Sequence, residues 1–189
     1  MQPIYGQYSY IQHTYDAQHA ETPDLKKDVV FYTELALEAG GRVLEAGCGT
    51  GRVLLAIKKA GIDVWGVDLS EGMLQELRAK AKSLGFTCKL HVGDLRSFKL
   101  DRKFRLIILP FRVFQHMLSP QDQLAALGNL REHLLPGGRV ALNIFNPDVR
   151  RLTMKGGQPM HEGTFTHPET GRRVHQFAAT VPDWAEQVI

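Results

Sequence analysis

Short apolar segments alternate along the chain with longer, more polar segments of helical character. The apolar segments predict strands that start at residue 43 and then cover 63–68, 87–93, part of 101–117, 139–146 and 172–180. Helices are predicted at 52–60, at 70–84 and from residue 119 onward, with an earlier helix from residue 23 to the glycine pair at 40–41. Strands that alternate with helices are typical of a parallel sheet with helices on both faces. The pattern therefore predicts an α/β fold with a doubly wound, mainly parallel sheet.

Capping and turn residues mark the ends of the predicted helices. Ser70 and Ser119 each precede a helix as a capping hydroxyl, and Asp122 stands at the capping-box spacing from Ser119. The sequence Pro136-Gly137-Gly138 predicts a turn between the second of these helices and the strand 139–146. The first 20 residues are aromatic and polar without clear periodicity, so no element is predicted there.

Composition and charge indicate one domain without a nucleic-acid or membrane partner. The chain has 189 residues, of which 43% are hydrophobic and 23% charged, and its net charge is +3. This length is sufficient for a substantial core, and the basic residues are dispersed rather than grouped as a nucleic-acid footprint requires. No apolar run approaches the roughly 20 residues of a membrane helix. Cys48 and Cys88 are far apart in the sequence, so we expect reduced cysteines and a cytoplasmic protein.

A glycine-rich turn follows the first strand. The sequence V-L-E-A-G-C-G-T-G-R covers residues 43–52 and places three alternate glycines, Gly47, Gly49 and Gly51, ahead of a helix. A glycine backbone can be approached closely, and the amides at the start of a helix favour negative charge. The expected ligand is nucleotide-like with a negatively charged tail. The alternative is a glycine turn that only allows close packing of the helix on the strand.

Carboxylates end the next two strands and favour the ligand-binding interpretation. Asp68 lies where a doubly wound fold offers an acid to ribose hydroxyls, and Asp94 ends the third strand. With these residues and the glycine motif, residues 43–147 resemble a class I S-adenosylmethionine-dependent methyltransferase with E/D-x-G-x-G-x-G as its first motif. The segment 130–147, L-R-E-H-L-L-P-G-G-R-V-A-L-N-I-F-N-P, is similar to a more specific part of that family. The resemblance implies a Rossmann-like sheet, S-adenosylmethionine as cofactor, and in-line methyl transfer to an oxygen or nitrogen of a small molecule.

The resemblance also implies which residues hold the methionine and ribose parts of the cofactor. The backbone of Gly47, Cys48 and Gly49 would bind the methionine amine and carboxylate, with Glu45 acting nearby. Asp68 would accept hydrogen bonds from both ribose hydroxyls. These partners are chemically sensible because charge-assisted hydrogen bonds are the strong ones.

The adenine pocket is implied in the same way. Asp94 would accept a hydrogen bond from the exocyclic amine of adenine, and the amide of Leu95 would donate to the ring. Leu69 and Met73 would flank the ring, with ordinary core packing as the alternative explanation of these two side chains. Pro110, in the loop after the fourth strand, is also assigned to the cofactor pocket.

The loop after the fourth strand supplies candidates for the acceptor side. His116 is the candidate general base, which is needed only if the acceptor must lose a proton, and a structural histidine is the alternative. Arg112 could hold an anionic group of the substrate, or could be an ordinary surface residue. Tyr15 is the candidate lid residue, because similar enzymes commonly order an N-terminal segment over the cofactor. A loosely attached terminus is the alternative for that segment.

Several absences narrow the acceptor. Enzymes that methylate DNA base amines carry D/N-P-P-Y/F after the fourth strand, whereas residues 109–112 read L-P-F-R. The same loop has no cluster of carboxylates for Mg²⁺, and His161, His167 and His175 lack the paired spacing of a zinc site. We therefore expect no metal and a small-molecule acceptor.

Three segments are expected along the chain: a lid-like segment at 1–22, a cofactor-binding core at 23–149 and a C-terminal β segment at 150–189. Members of the family usually end with two further strands, the last antiparallel, and this pair is missing after the strand 172–180. Either the chain is shortened, or another subunit completes the sheet, since an open apolar edge invites pairing. A homo-oligomer formed through this edge is the corresponding hypothesis.

Other functions remain open at this point. A non-catalytic S-adenosylmethionine-binding module with the same fold is the main alternative, because fold does not determine function. An NAD-dependent oxidoreductase shares a related glycine turn, but its fingerprint requires a third glycine where Arg52 stands. Methylation of a protein or an RNA is opposed only by the weak charge and the short chain.

Overall fold

The computed structural model describes residues 9–20, 23–144, 157–179 and 181. Its helices are α1 (Ser9–His19), α2 (Pro23–Ala39), α3 (Leu54–Lys59), α4 (Glu71–Ser83) and α5 (Pro120–Glu132), with a short 3₁₀ helix at Val113–His116. Its strands are β1 (Val43–Ala46), β2 (Val64–Asp68), β3 (Lys89–Val92), β4 (Phe104–Leu109), β5 (Leu134–Leu142), β6 (Met160–Thr166) and β7 (Arg173–Ala178).

Five strands form one parallel sheet in the order β3-β2-β1-β4-β5. The central strand β1 pairs on both sides, so that Val43 lies opposite Val64 of β2 and Leu106 of β4. Helices α2, α3 and α4 pack on one face, and α5 packs on the other together with the segment 95–98. The prediction of a doubly wound, Rossmann-like α/β fold is therefore confirmed.

Side-chain alternation explains why the central strands are mainly apolar. Val43 packs in the cluster that lies under α2, α3 and α4, while its neighbour Leu44 packs in the cluster under α5. The same division holds in β4, where Leu106 and Ile107 point to opposite faces. All four residues of β1 are buried, because both of its faces are covered.

The predicted helix caps are confirmed in the structure. The Oγ atom of Ser70 accepts a hydrogen bond from the Met73 amide at 3.3 Å, and the Oγ atom of Ser119 accepts from the Asp122 amide at 3.1 Å. Each hydroxyl satisfies an amide that would otherwise lack a partner at the start of the helix. Ser70 follows β2 directly, so this cap lies at the edge of the sheet where β2 ends.

The predicted turn at 136–138 was wrong in one respect, because it lies inside β5 and not ahead of it. Pairing with β4 begins at Leu134, opposite Phe104, and resumes at Arg139, opposite Leu106. The intervening residues form an irregularity in the register, where Gly137 adopts a φ of 71°. The strand also ends at Leu142, and residues 145–146 lie outside the described residues.

Helix α1 and strand β6 are two elements that the sequence patterns did not reveal. Strand β7 confirms the prediction at 172–180, but it pairs in antiparallel fashion with β6 as a separate two-stranded sheet. Helix α1 occupies part of the unassigned N-terminal segment and contacts both α4 and β6. Within the described ranges, β5 pairs only with β4, so self-association through this edge stays a hypothesis.

The Ser119 cap gives a first test of the fold. We expect Ser119→Ala to lower the free energy of unfolding by about 1 kcal/mol, because the Asp122 amide loses its acceptor. Ser97→Ala, at an exposed position between β3 and β4, is the matched control and should change stability by less than about 0.5 kcal/mol. Urea unfolding followed by circular dichroism measures both. Equal losses for the two variants would contradict the assignment of the cap.

Candidate functional site

The candidate site lies at the carboxyl ends of the parallel strands, where β1 turns into α3. The amides of Gly47 and Cys48 donate to the carbonyl oxygen of Val67 at 2.7 and 3.0 Å, which ties the turn to the end of β2. Gly47, Gly49 and Gly51 have φ values of 79°, 50° and 87°. Glycine adopts this left-handed region without steric cost, so the chain can reverse sharply between the strand and the helix.

The three glycines serve different purposes. A Cβ atom at Gly47 would collide with the side chain of Val113, and one at Gly51 would collide with that of Leu77. These two glycines therefore allow close packing, which is the alternative that the sequence left open. A Cβ atom at Gly49 would meet nothing within 4 Å. Gly49 alone of the three faces open space, where a ligand can approach its backbone.

Asp68 is held rigidly at the end of β2. Its Oδ2 atom accepts a hydrogen bond from the Gly49 amide at 2.7 Å, and its Oδ1 atom accepts from the Ser70 amide at 2.8 Å. Burial raises the pKa of this carboxyl group, while these amides and the nearby imidazole of His116 act in the opposite direction. Since a carboxylate offers about four lone-pair positions, Asp68 can still accept from two hydroxyl groups.

Glu45 is a buried carboxylate behind the glycine turn, with only 3% of its surface exposed. The Leu54 amide at the start of α3 donates to this side chain. Its Oε2 atom is buried without a hydrogen-bond partner among the residues that the structure describes. Burial raises its pKa well above the ordinary value, although the charge of Arg52 opposes this. A cationic group of a ligand would supply the missing partner, so the carboxylate fits the methionine ammonium of S-adenosylmethionine.

Asp94 is already engaged by a neighbouring arginine. The guanidinium of Arg96 donates to both carboxylate oxygens of Asp94, at 2.9 and 2.5 Å, and to Asp122 of α5 at 2.8 Å. These contacts lower the pKa of Asp94, which keeps it charged. Asp94 can accept a further hydrogen bond through a lone pair that Arg96 does not use. The pattern of sequence spacings gave no sign of this bridge between Asp94 and Asp122.

The apolar residues assigned to the adenine pocket are not equally accessible. Met73 and Leu95 are buried, with 3% and 6% of their surfaces exposed, whereas Leu69 is 45% exposed. Pro110 is buried at the end of β4. Leu69 is therefore the member of this set that offers surface to a ligand, while Met73 and Leu95 are also held by packing.

The loop after β4 brings Arg112 and His116 to the same edge of the sheet. His116 ends the 3₁₀ helix, is exposed, and lies close enough to Asp68 to affect its pKa. The Arg112 guanidinium lies over the Phe111 ring, 4.9 Å from its centroid. Phe111 itself has a φ of 63°, which is rare for a bulky residue. The predicted acceptor residues thus lie beside the glycine turn.

Helix α1 crosses the site and is attached by polar contacts. Asp16 accepts from the Thr50 hydroxyl at 2.6 Å and from the Lys80 ammonium at 2.5 Å. Tyr15 lines a cavity of about 300 Å³ between α1, α2 and the side chains of Arg52 and Lys80. The segment that carries the predicted lid residue is therefore helical and lies next to the glycine turn.

The described residues form neither a metal-binding cluster nor a helix that could cross a membrane. Residues 9–20, 23–144, 157–179 and 181 contain no group of three or more His, Cys, Asp or Glu side chains placed to hold a metal ion. His161 and His175 instead share hydrogen bonds with Thr164, at 3.0 Å each. In the same part of the chain, every helix is too short or too polar to cross a membrane.

Comparison with known proteins places this geometry in a family. A family model described as a methyltransferase domain matches residues 43–138, about half of the chain, so the chain belongs to that family, whose cofactor is S-adenosylmethionine. The range includes the glycine turn, the carboxylate of Asp68 at the end of β2 and that of Asp94 just after β3. The prediction of the family from its motifs is therefore confirmed.

Individual relatives extend the comparison. The chain is 29% identical over 140 residues to a dTDP-3-amino-3,4,6-trideoxy-alpha-D-glucopyranose N,N-dimethyltransferase of Streptomyces venezuelae, covering 68% of this chain and 57% of the relative. It is 28% identical over 115 residues to a ubiquinone biosynthesis O-methyltransferase of Roseobacter denitrificans, covering 61% and 45%. The structure of the CcbJ methyltransferase from Streptomyces caelestis matches with a TM-score of 0.74 and 28% identity, covering 95% and 71%. The chain spans about half the length of the curated relatives it matches.

A pair of glycine variants tests whether Gly49 faces the cofactor. We expect Gly49→Ala and Gly61→Ala to lose similar stability, about 1 kcal/mol, because both positions have positive φ and open space around them. Only Gly49→Ala should weaken binding of S-adenosylhomocysteine, by roughly tenfold or more. Thermal melts and isothermal titration calorimetry measure the two effects. Unchanged affinity in Gly49→Ala would place the cofactor elsewhere.

Glu45 gives a test based on pH. Because the folded state raises the pKa of Glu45 above its ordinary value of 4.5, this group lowers stability as the pH rises from 4.5 through the raised pKa. Glu45→Gln cannot ionise, so its free energy of unfolding should exceed that of the wild type at about pH 8 and approach it at about pH 4. Glu38→Gln, on the exposed surface of α2, is the control. Parallel pH profiles for the wild type and Glu45→Gln would show that the buried carboxylate carries no such penalty.

Proposed function

We propose that this chain is the cofactor-binding core of an S-adenosylmethionine-dependent methyltransferase that acts on an oxygen or a nitrogen of a small molecule. The observation that carries this proposal is the arrangement of Asp68, which two backbone amides fix on the open side of the glycine turn. Family membership supports the cofactor. The relatives support both acceptor atoms, since one is an N,N-dimethyltransferase and another an O-methyltransferase.

The residues around the turn suit the polar parts of the cofactor. The Asp68 carboxylate can accept from the two ribose hydroxyls, and charge-assisted bonds of this kind are strong. The turn at Gly47, Cys48 and Gly49 lies beside it, but its amides already donate to Val67 and Asp68. The turn would therefore hold the methionine end through its carbonyl oxygens, which can accept hydrogen bonds from the ammonium group. The unpartnered oxygen of Glu45, described above, would meet the positive amine of that end.

The other end of the cofactor would lie against β3. Asp94, kept charged by Arg96, would accept from the exocyclic amine of adenine, and the Leu95 amide would donate to the ring. Leu69 offers exposed surface to the ring, and Met73 and Pro110 would close the pocket from the protein side. This assignment rests on the position of these residues at the ends of β2, β3 and β4.

The chemistry that we propose needs little from the protein beyond alignment. Bound S-adenosylmethionine supplies a methyl group that is already electrophilic. Alignment of an acceptor can contribute roughly 7–11 kcal/mol at best, because it makes the reaction effectively intramolecular. His116 lies at the same edge of the sheet as Asp68 and could take a proton from an acceptor that must lose one, while Arg112 could pair with an anionic group. Tyr15 and α1 would exclude water from this edge.

The same proposal covers the setting in which the protein works. The net charge of +3 is too weak to favour a nucleic acid as the acceptor. Cys48 is buried and Cys88 half-buried, and both are free thiols in the described part of the chain. Free thiols are typical of reducing compartments, which supports a cytoplasmic enzyme.

Removal of the Asp68 carboxylate tests the proposal directly. We expect Asp68→Ala to weaken S-adenosylhomocysteine binding about 100-fold, because two hydrogen bonds to a charged group are each worth about 1.5 kcal/mol or more. Asp63→Ala removes a carboxylate just before the other end of β2, where Asp63 pairs with Arg42 and Lys89, and should leave the affinity unchanged. Titration calorimetry measures both variants.

Three results, two from binding titrations and one from a transfer assay, would count against the proposal. Equal affinity in the wild type and Asp68→Ala would exclude the assigned ribose contact. Binding of NADH in preference to S-adenosylhomocysteine would favour an oxidoreductase. Tight cofactor binding with no transfer to a broad panel of amines, phenols and acids would favour a non-catalytic module.

A further inference from the structure

Phe111 has an unfavourable backbone conformation at the start of the loop that follows β4. Its φ of 63° is the only positive value at a non-glycine residue in the described part of the chain. A bulky side chain makes this region costly, and such residues persist only where the surroundings hold them in place. The loop that begins here contains Arg112 and His116, both of which lie at the edge of the sheet that carries the candidate site.

The side-chain oxygen of Asn143 holds the backbone at Phe111 in place. The Phe111 amide donates to the Oδ1 atom of Asn143 at 3.2 Å, and the Tyr32 hydroxyl donates to the same oxygen at 2.5 Å. The Asn143 amide in turn donates to the carbonyl oxygen of Leu109 at 3.3 Å. Because a backbone N–H can only donate, the oxygen of the Asn143 side chain must face Phe111. The end of β5 is thereby tied to the end of β4 and to α2.

The inner end of this network, Tyr32, is buried, whereas Asn143 is exposed. Tyr32 lies in α2 with 1% of its surface exposed, within the cluster that packs against β1 and β4. Asn143 is exposed, and the Phe111 ring lies between His19 of α1, 5.9 Å away, and the guanidinium of Arg112. The network therefore connects the core to Phe111, which contacts α1 and begins the loop that contains Arg112 and His116.

We propose that Asn143 and Tyr32 are positioning residues for the acceptor loop, residues 111–116, and act by holding Phe111 in its left-handed conformation. The inference rests on the proposed function, because that function makes this loop the acceptor side of the site. A change of φ at Phe111 would redirect every residue after it, including Arg112 and His116. The Asn143 oxygen prevents that change by binding the Phe111 amide, and Tyr32 fixes the oxygen.

Limited trypsin digestion reports on this turn, because Arg112 follows Phe111 directly. Cleavage after Arg112 requires the loop to open, whereas cleavage after Arg102, in the exposed loop before β4, does not involve Asn143. We expect Asn143→Ala to raise the ratio of cleavage after Arg112 to cleavage after Arg102 by roughly five- to tenfold, as measured by mass spectrometry. Tyr32→Phe should raise the same ratio less, since the Asn143 oxygen remains.

Two further variants separate positioning from a general loss of structure. Asn143→Asp keeps an oxygen acceptor and should restore cleavage to within about twofold of the wild type. In a Phe111→Gly background, Asn143→Ala should change the ratio less than about twofold, because glycine adopts positive φ without help. The proposal would be overturned if Asn143→Ala accelerated cleavage equally after Arg112 and after Arg102. It would also be overturned if Asn143→Ala raised the cleavage ratio as much in the Phe111→Gly background as in the wild type. If Asn143→Ala does not fold, the cleavage ratios of Tyr32→Phe and Asn143→Asp test the proposal instead.

Cofactor binding distinguishes this proposal from the proposed function. We expect S-adenosylhomocysteine to bind Asn143→Ala within about twofold of the wild type, since Asp68 and Glu45 are untouched. If the wild type does not bind S-adenosylhomocysteine at all, the proposed function fails, while the digestion ratios still show whether Asn143 holds the turn. If the wild type binds and Asn143→Ala loses more than about tenfold in affinity, Asn143 supports the cofactor site and the positioning proposal is wrong.

Discussion

The hydrogen bonds that Asp68 accepts from the amides of Gly49 and Ser70 join the two halves of the candidate site. One amide belongs to the turn after β1, and the other lies at the start of α4. Burial opposes the charge on this carboxylate, and the amides stabilise it. The carboxylate therefore serves both as part of the fold and as a site for hydroxyl groups. Together with the Val67 carbonyl oxygen, which accepts from the amides of Gly47 and Cys48, this side chain holds the glycine turn, the cap of α4 and the end of β2 in one arrangement.

Much of this arrangement could be predicted from the sequence because it depends on local features. The apolar strands, the caps at Ser70 and Ser119 and the glycines at 47–51 each follow from residues that are close together in the chain. The family resemblance gave the roles of Asp68 and Asp94, and the structure places both at the same edge of the sheet. The family itself was confirmed, whereas the role of each residue stays a prediction until binding is measured.

Other features had no local signal. Tyr32 and Asn143 are 111 positions apart, so no spacing rule could pair them. Helix α1 is attached by an ion pair and by hydrogen bonds such as those of Asp16. Because polar contacts of this kind need no apolar stripe, the sequence showed no helical periodicity there. Strand β6 is largely exposed, so the alternation that reveals a half-buried strand is weak. The pairing of Leu134 with Phe104 could not be predicted, since the proline and glycines after it favour a turn.

The position of β1 in the centre of the sheet affects how the molecule is assembled. Its neighbour β2 is the next strand in the chain, whereas β4 comes much later, since Val43 pairs with Val64 on one side and with Leu106 on the other. Val113, which packs against Gly47, follows later still. Pairings between distant segments require closure of long loops and slow the folding of a domain. During synthesis on the ribosome, the glycine turn would therefore remain incomplete until residues well beyond it have emerged.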